Sequence, residues 1–400
     1  MVLRKLIMRV LGRYMNGFMI VDDEECPCGS GKLYEKCCKG REGSPILSKK
    51  PIEVLVMERM KASIKKCCMH PAQEDCRGKI KNAHALQNNK IISILAGTSR
   101  HVYMLNSKRQ PIVITLENGE IISLVEVAKT SANDATTEPC FCDVHDNVAF
   151  AIIEKGAPDF DETREDMKFV YAYKAFIFEC YKQWIELDVF WESFKENPAI
   201  SQAADVVHVY RMLQLKQQEF EPIKKYFDSQ IIAGTYDGIT TCVVKIPFQI
   251  HFADYAYIAL NCDLNGKKIE HTRNGIMHRL AITVFPETTQ SWLLLSCLDS
   301  ERDLYAELFE QLKVASIDKM KFYFNMMLPL YSENMVISEA LWEGWNEEVK
   351  MAYTYLANLQ GPDFVKMENV FRSGIAKAAK DELGMAYKQV PKINMFLLND

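Results

Sequence analysis

No apolar run in the sequence reaches the roughly 20 residues that a bilayer-crossing helix needs, so no transmembrane segment is expected. The stretch 1–20 mixes Arg4, Lys5, Arg9 and Arg13 with Leu3, Leu6, Ile7, Val10 and Leu11. That spacing predicts an amphipathic packing or partner helix, not the unbroken apolar segment of an export signal, and a cytoplasmic location is expected with it. The sequence has no GxxxxGK[ST] loop, no GxSxG, no GxGxxG and no HExxH, which leaves the commonest nucleotide, serine-hydrolase and metalloprotease chemistries without a carrier. It has no internal repeat and no low-complexity tract, so a solenoid is not expected. Excess positive charge is missing too: 48 Lys and Arg face 53 Asp and Glu, a net charge of −5. No global basic field advertises nucleic acid, which leaves only a local patch to do so.

What the chain does have is cysteine, unevenly placed. Nine of its 13 cysteines lie before residue 143: Cys26, Cys28, Cys37, Cys38, Cys67, Cys68, Cys76, Cys140 and Cys142. Clustered cysteines in a reducing compartment point to metal ligands rather than disulfides. The other four, Cys180, Cys242, Cys262 and Cys297, stand singly among apolar residues and are expected as small buried hydrophobes.

The first cluster is Cys26-Pro27-Cys28-Gly29-Ser30-Gly31-Lys32, followed after four residues by Cys37-Cys38. Zinc takes four soft ligands in a tetrahedron; two close cysteines grip one side, a Gly-Ser-Gly turn bends the chain, and the second pair closes the site. Metal binding would supply folding energy that so short a segment lacks. The string CPCGSGKLYEKCC resembles the SEC-C motif, which occurs at the C-terminus of the bacterial preprotein translocase motor subunit and in many unrelated proteins. The resemblance covers about fifteen residues and implies that Cys26, Cys28, Cys37 and Cys38 bind Zn²⁺. No motor domain accompanies it here. Lys32, Lys36, Lys39 and Arg41 would give the module a basic local face for RNA, DNA or an acidic protein.

A second set of candidates comprises Cys67, Cys68, His70, Cys76 and His84, then Cys140, Cys142 and His145. Cys142 and His145 have Cys-x-x-His spacing at an expected helix start, and Cys68 with Cys76 would form the opposite side of a site. A β-hairpin is expected between the two halves, from Ile112–Leu116 and Ile121–Val127 around the Asn118-Gly119 turn signal. Knuckle, hairpin and helix follow one another as in a treble-clef zinc site, although the loop from Cys68 to Cys76 is longer than usual. The region also resembles a degenerate HNH nuclease core, through Lys81-Asn82-Ala83-His84-Ala85-Leu86 and Cys142-Asp143-Val144-His145-Asp146. That resemblance implies that His84 activates a water and that Asp146 holds Mg²⁺ or Mn²⁺ against the scissile phosphate. The chain departs from the family at Phe150, where a second metal-binding histidine is common, and in the long spacing from Asn133 to Cys142. More loosely, residues 67–154 are similar to uncharacterised bacterial proteins that carry a SEC-C motif, and zinc-plus-nuclease-like proteins in phage defence offer an analogy.

The expected fold is α+β: N-terminal zinc modules (SEC-C knuckle and treble clef), then a body of helices and antiparallel strands. The expected divisions are residues 1–50, an amphipathic helix running to about residue 25 plus the SEC-C module; 51–158, opening with a helix over 52–66 and carrying the HNH-like treble clef; and 159–400, an α+β domain without a catalytic string. In that last part 160–229 has helical spacing. Thr241–Ile246, Tyr255–Leu260, Leu280–Phe285 and Trp292–Leu295 have strand character, with a turn signal at Asn265-Gly266, and helices return from Ser300, an expected N-cap. Two functions follow as expectations: a zinc protein whose SEC-C module recognises a protein or nucleic acid, or an HNH-like metal-dependent nuclease.

Overall fold

The computed structural model describes residues 19–39, 65–106, 112–115, 121–154, 156–358 and 393–396. Most of the two expected N-terminal helices, and the Asn118-Gly119 turn, lie outside these residues. Residues 19–25 correct one expectation: they are bends and turns with a single β-bridge from Glu25 to Leu33, not the end of a helix. The chain forms two compact units, Met1–Lys66 with Cys180–Tyr226, and Cys67–Glu179 with Phe227–Asp400.

The larger unit is α+β. Its strands are β1 (Ile80–His84), β2 (His101–Leu105), β3 (Ile112–Thr115), β4 (Ile121–Leu124), β5 (Val127–Ser131), β6 (Thr137–Cys142), β7 (Ile239–Ile246), β8 (Phe252–Ile258), β9 (Thr272–Arg273), β10 (Ile276–Met277), β11 (Leu280–Pro286), β12 (Ser291–Leu298) and β13 (Val336–Ser338). Seven form one sheet in the order β5-β2-β13-β8-β11-β12-β7, with every neighbouring pair antiparallel. The two strands of the expected hairpin pair antiparallel as β3–β4, in register from Ile112–Leu124 to Thr115–Ile121, the second ending at Leu124 rather than Val127. β1 pairs with β6 in a separate ribbon that leads into helix α1 (Asp143–Ala149).

Two long helices follow, α2 (Glu165–Glu196) and α3 (Ala204–Ala233), then α4 (Arg302–Val314), α5 (Ile317–Tyr331), α6 (Glu339–Gly344) and α7 (Glu347–Ala357). Side chains alternate across a strand, and β11 buries both sets. Leu280, Ile282 and Val284 join one core with Leu308 and Phe309 of α4, Tyr323 and Phe324 of α5 and Tyr353 of α7. On the opposite face Phe285 stacks on Tyr171 of α2 at 4.8 Å, and Tyr257 of β8 meets Phe176 edge-on at 5.0 Å. The sheet is therefore covered on both sides, which is why its central strands read as near-continuous apolar runs.

Three expectations need correcting here. The strand expected at Tyr255–Leu260 is displaced to Phe252–Ile258. Asn265-Gly266 does turn, with Gly266 N donating to Asp263 O at 3.0 Å, but it joins only a one-residue bridge; the two-residue hairpin turn is at Asn274 and Gly275, both at positive φ. Ser300 is not the cap of α4, whose N-cap Glu301 makes no side-chain capping bond.

The smaller unit contains the first cysteine segment and the facing stretches of α2 and α3. Its core gathers Ile20, Tyr34, Leu187, Phe194, Val207, Tyr210 and Leu213 with the buried sulfurs of Cys26, Cys28 and Cys38.

Candidate metal centres

The first centre is made by a loop that turns twice. Gly29 and Gly31 take φ of +68° and +70°, conformations that L side chains adopt at a cost, and Cys26 N closes the turn on Lys32 O at 2.8 Å. A short helical turn, Tyr34–Lys36, then delivers Cys37 and Cys38 back to the first pair. The Sγ atom of Cys28 lies 3.5 Å from those of Cys26 and Cys37, and all four sulfurs are within 4.8 Å of one another. A tetrahedral zinc–thiolate site has sulfur–sulfur edges of about 3.8 Å, so the donor set fits a single Zn²⁺. Burial, then the side chain of Cys26, push the Cys38 thiol far up. Burial also raises Cys28, but the hydroxyl of Ser30 and the neighbouring thiols outweigh it and bring it down to about 7. A divalent cation among them would offset the mutual repulsion.

The second centre joins parts of the chain 60 to 80 residues apart. β1 and β6 lie side by side, and β6 ends at Cys142, the N-cap of α1, whose sulfur accepts from His145 N at 3.5 Å. Burial raises the Cys142 thiol, but the backbone N–H groups of His145 and Arg77 outweigh it and lower it. One turn into α1, His145 Nδ1 lies 3.4, 3.5 and 3.4 Å from the sulfurs of Cys68, Cys76 and Cys142. Tetrahedral Cys₃His zinc needs nitrogen–sulfur edges of about 3.5 Å, so this set fits as well. Burial and then the Cys68 sulfur push the Cys76 thiol up to about 12. Gly78 sits where the chain leaves Cys76. A Cβ there would lie 2.9 Å from Asp143 Oδ2, and its φ of +77° favours glycine.

Comparison of the chain with known protein families, with curated proteins and with solved structures returns no match.

The remaining candidates lie around these centres. Cys67 and Cys140 are not in either four-ligand group; Cys140 is fully buried and its thiol is raised well above the usual range by burial. His70 stacks on His145 with ring centroids 3.8 Å apart. His84 ends β1, and its Nδ1 bonds Ala135 O at 3.0 Å; burial lowers its pKa, which keeps the imidazole neutral at pH 7. Asp146 lies in the first turn of α1, but its carboxylate is engaged by Lys81 at 2.9 Å. Asn133 accepts from Asn88, and the ring of Phe150 lies under the Lys174 ammonium at 4.5 Å. Lys174 is almost wholly buried and bonds the carboxylate of Glu154. No spacing signal pointed to the ion pairs of Lys81 and Lys174, because each is a contact between separate elements.

The basic face expected on the first module is partly cancelled: Lys39 pairs with Asp22 at 2.6 Å and Lys36 lies 3.6 Å from Glu35. Arg41 lies outside the described residues. Among the described residues no helix is long and apolar enough to cross a membrane.

Proposed function

We propose that this chain is a two-zinc protein of a reducing, cytoplasmic environment, with Zn²⁺ held by Cys26, Cys28, Cys37 and Cys38 and by Cys68, Cys76, Cys142 and His145. The observation that carries this is the convergence of two separate four-ligand groups, each with its donor atoms within 4.8 Å. Four such donors around one point have no comparable structural use without a cation. The SEC-C-like module recognises a protein or nucleic acid through its outward residues Lys32, Leu33 and Lys36, which are exposed, while Tyr34 and Cys38 are turned inward and buried. Elemental analysis of protein purified without added metal tests the foundation: two zinc ions per chain are expected, falling to one in Cys142→Ser. Lys32→Glu with Lys36→Glu is then expected to abolish partner capture without changing that count.

A second role is favoured by one specific arrangement. The β1–β6 ribbon running into α1 places His84 at a strand end and Asp146 in the helix's first turn, the order an HNH-like phosphodiesterase uses. The hydrogen bond at Nδ1 of His84 leaves Nε2 as the proton acceptor for a water. Asp146 would have to exchange Lys81 for Mg²⁺ or Mn²⁺. Plasmid cleavage with either ion, lost in His84→Ala, is the expected result; an intact plasmid, or equal cutting by the variant, removes this role.

A further inference from the structure

The buried side of the first module faces its own chain. Tyr34, 2% exposed, places its hydroxyl 2.9 Å from Ser201 Oγ and accepts from Gln202 Nε2 at 2.6 Å. Ser201 in turn donates to Pro198 O at 2.6 Å, so the contact grips the connection between α2 and α3. On α2, the Cys38 sulfur lies 3.8 Å from Phe194 O. On α3, both carboxylate oxygens of Glu24 receive Arg211 Nη2 at 2.5 Å, in a pair less than a quarter exposed on either side. Ile20 and Tyr34 belong to one buried cluster with Leu187, Phe194, Val207 and Tyr210.

The module touches both helices and the turn joining them, through residues that flank or carry the sulfur ligands. Its described part, residues 19–39, is a loop, one β-bridge and one helical turn. A segment of that kind holds its shape through its ligands, so what it holds is tied to the metal. The sulfurs of Cys26, Cys28 and Cys38 are buried, and Cys37 with the exposed Ser30–Lys32 loop forms the open side.

We infer that the first centre is a zinc-dependent latch: the metal fixes the loop, and the loop fixes residues 187–213 of α2 and α3. The inference rests on zinc occupying the first centre. Loss of that ion frees the helix pair while leaving the second centre and the seven-stranded sheet in place. Zinc supply is thereby converted into order or disorder of one helical pair.

The test is amide hydrogen exchange on the full chain, read together with zinc content. Cys37→Ser, at the open side, is expected to lower the count from two to one. It should speed exchange in residues 187–213 by about tenfold or more, with β11 and β12 unchanged, since local opening has its own free energy. Tyr34→Phe keeps all four sulfurs; it should keep two zinc ions and speed exchange only around residues 198–204. Unchanged exchange in 187–213 when the count has fallen to one overturns the latch and leaves the two-zinc assignment standing. Wild-type protein with no zinc overturns both. Exchange that rises equally in β11 and β12 also overturns the latch, because the effect is then global.

Discussion

His70 lies flat against His145, with the two rings 3.8 Å apart and within 12° of parallel. His70 is itself held, because its Nδ1 accepts from Ala72 N at 3.2 Å and it is buried. The stack fixes the plane of the His145 ring, and so the direction in which Nδ1 meets the three sulfurs. Groups that orient a ligand commonly change metal affinity by about 10- to 100-fold. His70→Ala is expected to weaken zinc at the second centre by roughly tenfold, while His70→Phe, which keeps a flat ring, retains most of the affinity. Competition with a chromophoric chelator, with the first centre still loaded, measures both.

Glu154→Gln is expected to cost about 3–5 kcal/mol, the range for a buried charge that loses its partner. The ammonium left behind is that of Lys174, only 2% exposed, with the Phe150 ring as its remaining support. Urea unfolding gives the number. Lys174→Met with Glu154→Gln should recover much of the loss, since the double change removes both charges; a double variant no more stable than the single one counts against the pairing.

Gly78→Ala should destabilise the second centre specifically. The added methyl strains a backbone at φ +77° and presses on Asp143, whose carboxylate accepts from Lys79 N at 3.3 Å. A cost of about 1–3 kcal/mol is expected. Thermal unfolding followed with zinc release should show the second zinc leaving at a lower temperature than in the wild type.

Acid should weaken the fold before it reaches the carboxylate range. His84, His208, His251 and His271 are all lowered from 6.5, with burial the leading cause in each. A lowered folded value means that the unfolded chain takes up protons first. The stability these groups give is present above pH 6.5 and is lost as pH falls through their folded values. Glu301 acts oppositely: burial raises it from 4.5, so its share declines as pH rises from 4.5 to its folded value. The thermal midpoint, at constant zinc load, is expected to drop as pH falls below 6.5, and His251→Gln to flatten the slope.

The candidate ligand residues were visible in the sequence because a tetrahedral metal site favours local spacings, Cys-x-Cys and Cys-x-x-His among them. The structure brings all eight into two groups. Central strands buried on both faces were also visible, as continuous apolar runs at β11 and β12. Contacts with no local signature were not. β13 is three residues, Val336–Ser338, too short to show a period of two, and it pairs with β2 (His101–Leu105) from more than two hundred residues away. The pairing of Lys81 with Asp146 depends on β1 lying beside α1, which no spacing along the chain encodes. Each compact unit joins two stretches separated along the chain, by residues 67–179 in the smaller and by residues 180–226 in the larger, so neither unit is continuous in sequence.

The position of β13 bears on how the protein is made. Among the described residues it alone links β2 to β8 in the sheet order, yet it is synthesised after every other described strand. Until residue 338 has emerged, β2 and β8 each present an unpaired edge, a template for wrong pairing with another nascent chain. Closure of the sheet waits on contacts more than two hundred residues apart for β2, such as Ile337 with Tyr103. Closure of this sheet is accordingly expected to be late and slow, with chaperone protection mattering most until residues 336–338 have been translated.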